Sequence, residues 1–161
     1  MTITEAHPDD AKEILAVQKR AFAPQGELYG DPALPPLTET EETIRESFEA
    51  YTVLKAVKNG VIVGAVRGRM KGERCLIGRL SVLPELQNRG IGRMLMREIE
   101  SRFPEARSFD LFTGHKSEKS IGLYKKLGYE IFRTKKESDT LTLVFMRKGN
   151  EKNNNTSPAS P

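Results

Sequence analysis

The sequence predicts a single domain of the α/β class, and more specifically an α+β domain of about seven strands and four helices. Two observations predict it. Runs of aliphatic and β-branched residues flank Asn59-Gly60, which is the strongest short-range signal for a β-hairpin. Apolar residues recur every three or four positions in two long segments, as in amphipathic helices. A single cysteine in 161 residues excludes an intrachain disulfide framework and gives no indication of a metal site.

The first third of the chain predicts a strand, a helix, a long loop and a second, short helix. The strand covers Met1 to Glu5, and Pro8-Asp9-Asp10 predicts the start of the first helix. The apolar stripe of that helix consists of Ile14, Leu15, Val17 and Ala21. The segment from Phe22 to Thr38 is rich in proline and glycine and predicts a functional loop of about 17 residues. The run TIRESFEAY then predicts the short helix.

The middle third predicts three antiparallel strands and a helix. Two strands surround Asn59-Gly60, and the third is CLIGRLSVL, after a turn at Lys71-Gly72. The next helix has apolar residues spaced by four, and Pro104 ends it. Its stripe consists of Ile91, Leu95, Ile99 and Phe103, with Met94 beside them.

The last third predicts a strand, a helix and two more strands. The strand covers Ser108 to Thr113, and the helix runs from an N-cap at Ser117 to a stop at Gly128. The final strands cover Tyr129 to Arg133 and Thr140 to Met146. Residues 1–149 are therefore predicted to form one domain, and the low-complexity residues 150–161 a disordered tail.

Composition and charge narrow the class of protein. Hydrophobic residues make up 37% and charged residues 30%, which is typical of a globular protein in water. No apolar run approaches the roughly 20 residues that span a bilayer, and the N-terminus is no signal peptide, so we expect a cytoplasmic protein without a membrane partner. The net charge is +4, but 26 basic residues are interleaved with 22 acidic ones. Nucleic acid is therefore not the predicted partner.

A glycine-containing stretch, QNRGIGR, begins the helix of the middle third. Glycines at a helix N-terminus allow close approach of a ligand, and the exposed N–H groups favour an anion. A P-loop needs a Lys-Ser or Lys-Thr pair after the glycines, and none follows. A dinucleotide-binding fingerprint needs a third glycine where Leu95 stands, and an early βαβ unit. Both classes are excluded.

The pattern Ile77-x-x-Leu80-x-Val82-x-Pro84-x-x-Gln87-x-x-Gly90-x-Gly92 resembles motif A of the GNAT superfamily of acyl-CoA-dependent N-acetyltransferases. LFTGHKSEKSIGLYKKLGYE resembles motif B, and the resemblance covers roughly Thr2 to Lys148. It implies a GNAT-like central sheet, mixed but mostly antiparallel, of about seven strands with helices on both faces and the fourth and fifth strands splayed. It also implies transfer of an acetyl group from acetyl-CoA to an amine by direct attack in a ternary complex.

The resemblance further implies the residues of the site. The backbone of Leu80 and Val82 would bond the pantetheine arm, and an N–H at or near Val82 would polarise the thioester carbonyl. The pyrophosphate would lie on the N–H groups that begin the helix. Tyr124 would be the catalytic residue that hydrogen-bonds or protonates the sulfur; alternatively, it is a buried residue on a helix face. The implied cofactor-binding residues are Leu80, Ser81, Val82, Gln87, Asn88, Arg89, Gly90, Ile91, Gly92, Arg93, Ser117 and Tyr124.

Three details stay open at this point. The general base is Glu73, His115 or water, because Leu76 stands where some family members carry a glutamate. Gly78 marks either a bulge or a weak point in the fourth strand. Ser117 replaces the asparagine that is frequent in motif B, and serine can also make its hydrogen bond.

The acceptor is predicted to be a small-molecule or peptide-borne amine that enters against the loop from Phe22 to Thr38. Glu27 and Asp31, beside the aromatic residues Phe22 and Tyr29, would hold its ammonium group, unless they are simply solvated. A non-catalytic acyl-CoA-binding module is the competing class, against which the presence of Tyr124 argues. A nucleic-acid-binding protein ranks third. Acyl chain preference, the identity of the acceptor and the oligomeric state, including a homodimer, stay open.

Overall fold

The protein is built on one sheet whose strands lie in the order β1-β2-β3-β4-β5-β7-β6. The computed structural model describes residues 1–154. The strands are β1 (Thr2–Glu5), β2 (Thr52–Lys58), β3 (Val61–Lys71), β4 (Arg74–Val82), β5 (Ser108–Gly114), β6 (Glu130–Lys136) and β7 (Thr142–Gly149). All neighbouring strands are antiparallel except β4 and β5, which are parallel. The predicted mixed and mostly antiparallel sheet of seven strands is confirmed.

Helices cover both faces of this sheet. They are α1 (Ala11–Leu28), α2 (Pro35–Thr38), α3 (Glu41–Ser47), α4 (Ile91–Ser101), α5 (Glu118–Lys126) and α6 (Glu151–Asn154). One core cluster joins α4 and α5 to the sheet, and a second joins α1 and α3 to the other face. We call these the α4 face and the α1 face. The two clusters explain why strands in the middle of the sheet carry apolar residues on both sides.

The β2–β3 hairpin forms where Asn59-Gly60 predicts it. Asn59 has φ 52° and Gly60 has φ 76°, so both central residues adopt the left-handed conformation that a two-residue type I′ turn requires. A second hairpin joins β3 to β4, with Lys71 paired to Arg74, and its register places Arg67 opposite Gly78 and Arg69 opposite Leu76. This register therefore determines which side chains of β3 lie opposite the open part of β4.

The stripe predicted for α4 is confirmed for Ile91, Leu95 and Ile99, all of which are buried. Met94 is 45% exposed, so its assignment to the stripe is wrong, and Met96 is buried instead. At about 100° per residue, Met94 lies about 120° from the centre of the stripe and Met96 only about 80°.

The predicted loop from Phe22 to Thr38 is wrong. Helix α1 continues through Pro24 to Leu28, and α2 begins only seven residues later, at Pro35. Pro24 is exposed, so its missing N–H removes one backbone hydrogen bond without creating a clash in the core. Tyr29 is only 3% exposed, and a Cβ added to Gly26 would approach Leu37 Cδ1 to 2.8 Å. This packing stabilises the last turns of α1 against the local sequence preference.

The C-terminal part of the described chain is attached to the domain through Asn150. This side chain is 8% exposed, and its Nδ2 donates to the carbonyl oxygen of Ala106 at 2.8 Å. The predicted disordered tail covers residues 150–161. Of these, residues 155–161 lie outside the described part of the chain, and Glu151–Asn154 form a short helix.

Within residues 1–154, no helix combines the length and the apolar character that crossing a bilayer requires. Cytoplasmic location stays a prediction from the sequence.

Candidate active site

The sheet opens between β4 and β5. These strands pair over only three residues each, 74–76 with 108–110. Beyond Leu76, no strand of the described chain pairs with the edge of β4 that faces β5. The predicted splay is therefore confirmed, and residues 77–82 present backbone without a strand partner to the opening. Such an edge can bind an extended ligand as if it were an additional strand.

The loop before α4 leads sharply into the helix at one end of this opening. Asn88 has φ 64°, and Gly90, the N-cap, has φ 85°. No side chain caps α4, and its first turn carries no acidic residue. The leading N–H groups therefore lack a side-chain acceptor, and their partial positive charge favours an anion. Gln87, Asn88, Arg89 and Gly90 are exposed around them, and Gln87 Nε2 donates to the carbonyl oxygen of Val82 at 3.2 Å.

Gly92 lies where three elements meet. A Cβ added to Gly92 would lie 3.5 Å from Leu123 Cδ2 of α5, 3.8 Å from Leu80 Cδ2 and 3.9 Å from Val82 Cγ2 of β4. These are ordinary contact distances, so the fold alone does not require glycine here. The structure thus brings Leu80, Val82 and Gly92 together, as the sequence predicts, and adds Leu123 to the group.

Strand β4 contains a bulge beside the opening. Ala65 pairs with Ser81 while Arg67 pairs with Gly78, so β4 carries one residue more than β3 over this interval. Arg79, inside the interval, has φ 55°, a left-handed conformation that is uncommon for a residue with a side chain. The bulge follows directly after Gly78, which confirms the bulge interpretation of this strand.

An ion pair that the sequence does not reveal holds the bulge. Arg79 Nε and Nη2 lie 2.8 Å and 2.6 Å from Glu39 Oε1. Gln18 Nε2 donates to Glu39 Oε2 at 3.3 Å and to the carbonyl oxygen of Pro36 at 2.9 Å. The side chains of Arg79 and Glu39 are only 19% and 15% exposed, so solvent screens the pair weakly. A strained residue with a partly buried partner at an opening is typical of a functional site.

Tyr124 combines a buried ring with an accessible hydroxyl. The residue is 9% exposed, and its ring meets that of Tyr129 edge-on, with centroids 5.9 Å apart. Burial raises the pKa of Tyr124 to about 12. In the described chain, the Tyr124 hydroxyl has no hydrogen-bond partner. Its oxygen is not fully buried, so it retains some accessible surface. The Tyr129 hydroxyl, by contrast, donates to Glu100 Oε2 at 2.7 Å.

Ser117, predicted to bind the cofactor, is 4% exposed and belongs to an internal network. Its hydroxyl donates to Gln25 Oε1 at 2.6 Å and accepts from the Tyr29 hydroxyl at 2.8 Å. The Tyr29 oxygen in turn accepts from the Lys116 N–H at 2.9 Å. A Cβ added to Gly114 would collide with the Tyr29 phenol, so glycine is required there. The network joins the end of α1 to the start of α5.

The two candidate general bases lie in different places. Glu73 is in the β3–β4 turn, at the paired end of β4, and its side chain is 77% exposed near Arg107. It therefore lies away from the opening. His115 follows β5, and its Nδ1 accepts from the Thr142 N–H at 2.9 Å. The same Nδ1 lies 3.1 Å from the Thr142 carbonyl oxygen, so it contacts both a donor and an acceptor of that residue.

The residues predicted to hold an ammonium group are not brought together as a set. Tyr29 is buried in the network at Ser117, and Asp31 Oδ1 accepts from the Ala33 N–H at 2.9 Å. Glu27 lines an open depression on the outside of α1, with Gly30 and Leu37. The prediction depended on a loop that is instead mostly helix.

Sequence reasoning also missed an arginine cluster on the α1 face. Arg67 and Arg69 lie two residues apart on β3, and the guanidinium carbon atoms are 4.1 Å and 5.4 Å from the centroid of the Tyr51 ring. The alternation of Arg67 and Arg69 in a predicted strand indicates a shared face, which is the one signal in the sequence that could have revealed them. Within the described chain, no group of three or more His, Cys, Asp or Glu side chains is placed to hold a metal ion.

Comparison with known proteins agrees with this geometry. The family model described as "Acetyltransferase (GNAT) family" matches residues 13–129. Among curated proteins, UPF0157 protein YqkA of Bacillus subtilis (strain 168) is 29% identical over 133 residues, which are 83% of this chain. The chain spans 38% of the length of that relative.

Solved structures show the same fold. The ribosomal-protein-S18-alanine N-acetyltransferase from Escherichia coli has a TM-score of 0.75 at 17% identity, covering 92% of both chains. A putative acetyltransferase from Salmonella typhimurium, yncA, with its cofactor acetyl-CoA, has a TM-score of 0.74 at 21% identity, covering 100% of this chain and 97% of that one. The chain described here belongs to the GNAT family of acetyltransferases, whose cosubstrate is acetyl-CoA. The predicted family and fold are confirmed.

Proposed function

We propose that this domain transfers the acetyl group of acetyl-CoA to the amine nitrogen of a small molecule or peptide, by direct attack in a ternary complex. The observation that carries the proposal is the free edge of β4, which ends beside the uncapped N-terminus of α4. The first feature suits the amides of a pantetheine arm and the second suits a pyrophosphate.

The predicted cofactor-binding residues keep distinct roles in this proposal. The N–H groups that begin α4 receive the pyrophosphate, and Gly90 and Gly92 leave room for it. Arg89 and Arg93 are exposed beside them and add positive charge. The backbone at Leu80, Ser81 and Val82 follows the bulge and offers hydrogen bonds to the arm and to the thioester carbonyl. Ser117 supports this end of the site through its network rather than through ligand contact.

Amide formation requires a neutral amine. A lysine-like amine with a pKa of about 10.4 pays roughly 4–5 kcal/mol to lose its proton at pH 7. The neutral nitrogen attacks the thioester carbonyl carbon, the bond from that carbon to sulfur breaks, and the amine proton passes to water. Water accepts this proton directly or by relay through His115, whose ring is exposed at the end of β5.

Tyr124 stabilises the leaving sulfur by donating a hydrogen bond. Its pKa of about 12 lies well above that of a thiol, about 8.5, so the phenol keeps its proton while the thiolate forms. Hydrogen bonding therefore accounts for its contribution better than complete proton transfer. The same elevated pKa keeps the donor present over the whole physiological pH range.

The test compares two neighbouring tyrosines. Tyr124→Phe removes only a hydroxyl and should lower kcat roughly 10- to 1,000-fold, a loss of about 1.4–4 kcal/mol in transition-state stabilisation. Tyr129→Phe is the matched control: it removes the hydroxyl that donates to Glu100, and should reduce stability by about 1–2 kcal/mol with kcat unchanged. Release of free coenzyme A is the readout, with single-turnover kinetics to isolate the chemical step. An unaltered chemical step in Tyr124→Phe would reduce Tyr124 to a core residue.

The same assay distinguishes the proposed acetyltransferase from the competing class, a module that binds acyl-CoA without turnover. The acceptor panel should contain small amines and peptides with a free N-terminus, because one structural neighbour is a ribosomal-protein-alanine N-acetyltransferase. Stabilisation by acetyl-CoA without coenzyme A release on any acceptor would favour the binding module.

A further inference from the structure

Three arginines from two strands converge on the α1 face of the sheet. Arg67 and Arg69 lie on β3, opposite Gly78 and Leu76 of β4, and Arg79 lies in the bulge of β4. Leu76 is the last residue of β4 that pairs with β5, so the cluster sits where the sheet begins to open. Arg67 and Arg79 also line one small cavity beneath α1 and α3.

Two of these arginines lack an anionic partner. Arg79 is paired with Glu39, but Arg67 and Arg69 form no ion pair within the described chain. The Nε atoms of Arg67 and Arg69 are buried and have no hydrogen-bond partner, and they are the only such side-chain atoms in the part of the chain that the structure describes. Buried donors without an acceptor are rare in folded proteins and call for an explanation. Three guanidinium groups against one carboxylate leave two positive charges.

The cluster also holds its guanidinium groups in place and leaves room in front of them. Tyr51 lies under Arg67 and Arg69, which restricts both side chains before any ligand binds. A Cβ added to Gly78 would meet no atom within 4 Å. Because residues paired across two strands point to the same face, this empty space adjoins Arg67. Burial and the charge of Arg79 both lower the pKa of Arg67, and an anion in this space would offset these effects.

We infer that Arg67 and Arg69 bind an anionic group of the acceptor, a carboxylate or a phosphate, above Gly78. This deepens the proposed function, on which it rests, by naming the chemical class of its second substrate. The α4 face carries the proposed acetyl-CoA site, so an acceptor bound on the α1 face reaches the thioester through the opening between β4 and β5. Guanidinium groups match the paired oxygens of carboxylates and phosphates, and such hydrogen bonds are the strong ones.

The first experiment uses acceptor pairs that differ only in the anionic group. β-Alanine is compared with β-alaninamide, phosphoethanolamine with ethanolamine, and the peptide Ala-Asp-Gly-amide with Ala-Asn-Gly-amide. In at least one pair the anionic member should have a kcat/KM roughly 10- to 100-fold higher, mainly through a lower KM. The pair that responds identifies the source of the anion as a free carboxylate, a phosphate or an acidic peptide side chain.

The second experiment tests the arginines. Arg67→Gln and Arg69→Gln should each reduce that preference roughly 10-fold or more, and Arg67→Lys should reduce it less because the charge is retained. Arg133→Gln is the matched control, since Arg133 lies on the edge strand β6, where it stacks 4.2 Å from the centroid of Phe145. It should leave the preference unchanged. Retained stabilisation by acetyl-CoA shows that each variant is folded.

The outcomes separate the two proposals. If neutral acceptors turn over and no pair shows a preference for its anionic member, the inference is overturned while the proposed function stands. If no acceptor turns over, the proposed function fails, and binding decides the inference: phosphate and acetate should raise the melting temperature of the wild-type protein more than that of Arg67→Gln. Equal shifts in the two proteins would overturn the inference as well.

Discussion

The two sides of the opening between β4 and β5 differ in composition: one is formed mainly by backbone groups and the other by side chains. On the α4 face, the site consists mainly of backbone: free N–H groups, two glycines and an unpaired strand edge. On the α1 face, it consists of side chains from four segments, namely Glu39, Tyr51 and the arginines of β3 and β4. A site made of backbone can be recognised in a short stretch of sequence, whereas a site made of side chains depends on the register of the whole sheet.

The largest expected effect concerns the backbone side. Gly90→Glu places a carboxylate at the N-terminus of α4 and should weaken acetyl-CoA binding at least about 100-fold, or about 2.7 kcal/mol, because it competes with the pyrophosphate. Calorimetric titration measures the affinity. Gly60→Glu is the matched control, because Gly60 has a similar φ of 76° against 85° and the same open surroundings. Both variants carry the same backbone strain, so equal losses of affinity would contradict the assignment of the anion site.

A smaller effect concerns Tyr124, whose pKa burial raises from 10.0 to about 12. A raised pKa in the folded state means that this group contributes stability that is complete below pH 10 and is lost as the pH rises through about 12. Between these values, the free energy of unfolding should fall by on the order of 2 kcal/mol more in the wild-type protein than in Tyr124→Phe. Urea denaturation at pH 9, 10, 11 and 12 measures the difference. Parallel pH dependences in the two proteins would show that the hydroxyl is well solvated.

The smallest effect concerns the bulge, where one residue, Arg79, combines a left-handed backbone conformation with a side-chain ion pair. Arg79→Gly and Arg79→Ala both lose the ion pair with Glu39, but glycine adopts a φ of 55° without strain. Arg79→Gly should therefore be more stable than Arg79→Ala by about 0.5–1 kcal/mol. At Leu76, which has an ordinary φ, the order should reverse, with glycine the less stable. Chemical denaturation of the four variants tests the reversal, and the same order at both positions would contradict a strained bulge.

The sequence predicts the sheet and the start of α4 well because the signals there are local. Asn59-Gly60 determines a turn by the φ angles that its residues tolerate, and Gly90 marks the start of α4 in the same way. The segment from Phe22 to Thr38 shows the limit of local signals. Its prolines and glycines predict a loop, but Tyr29 packs against Gly114, which is distant in sequence, and the helix extends to meet it.

The arginine cluster shows a second limit. Glu39 and Arg79 are 40 positions apart in the chain, and nothing in the residues around either one indicates the other. Arg67 and Arg69 alternate in sequence as residues of an exposed strand face do. A solvated strand therefore explains their sequence pattern as well as a binding cluster does. Only the register of β3 with β4, and the burial of both Nε atoms, distinguishes the proposed binding cluster from an ordinary charged surface.

Cys75 provides an internal chemical probe of local opening. It is the single cysteine of the chain, is fully buried in β4 opposite Phe109 of β5, and burial raises its pKa to about 12. Because the thiolate is the nucleophile that attacks thiol reagents, these reagents should not modify the folded protein at neutral pH. The Cys75 thiol lies on the α4 face, where it meets Ile99 and Phe103 beside Gly68. Modification of Cys75 thus requires this packing to open, so its rate reports how often the α4 face separates from the sheet.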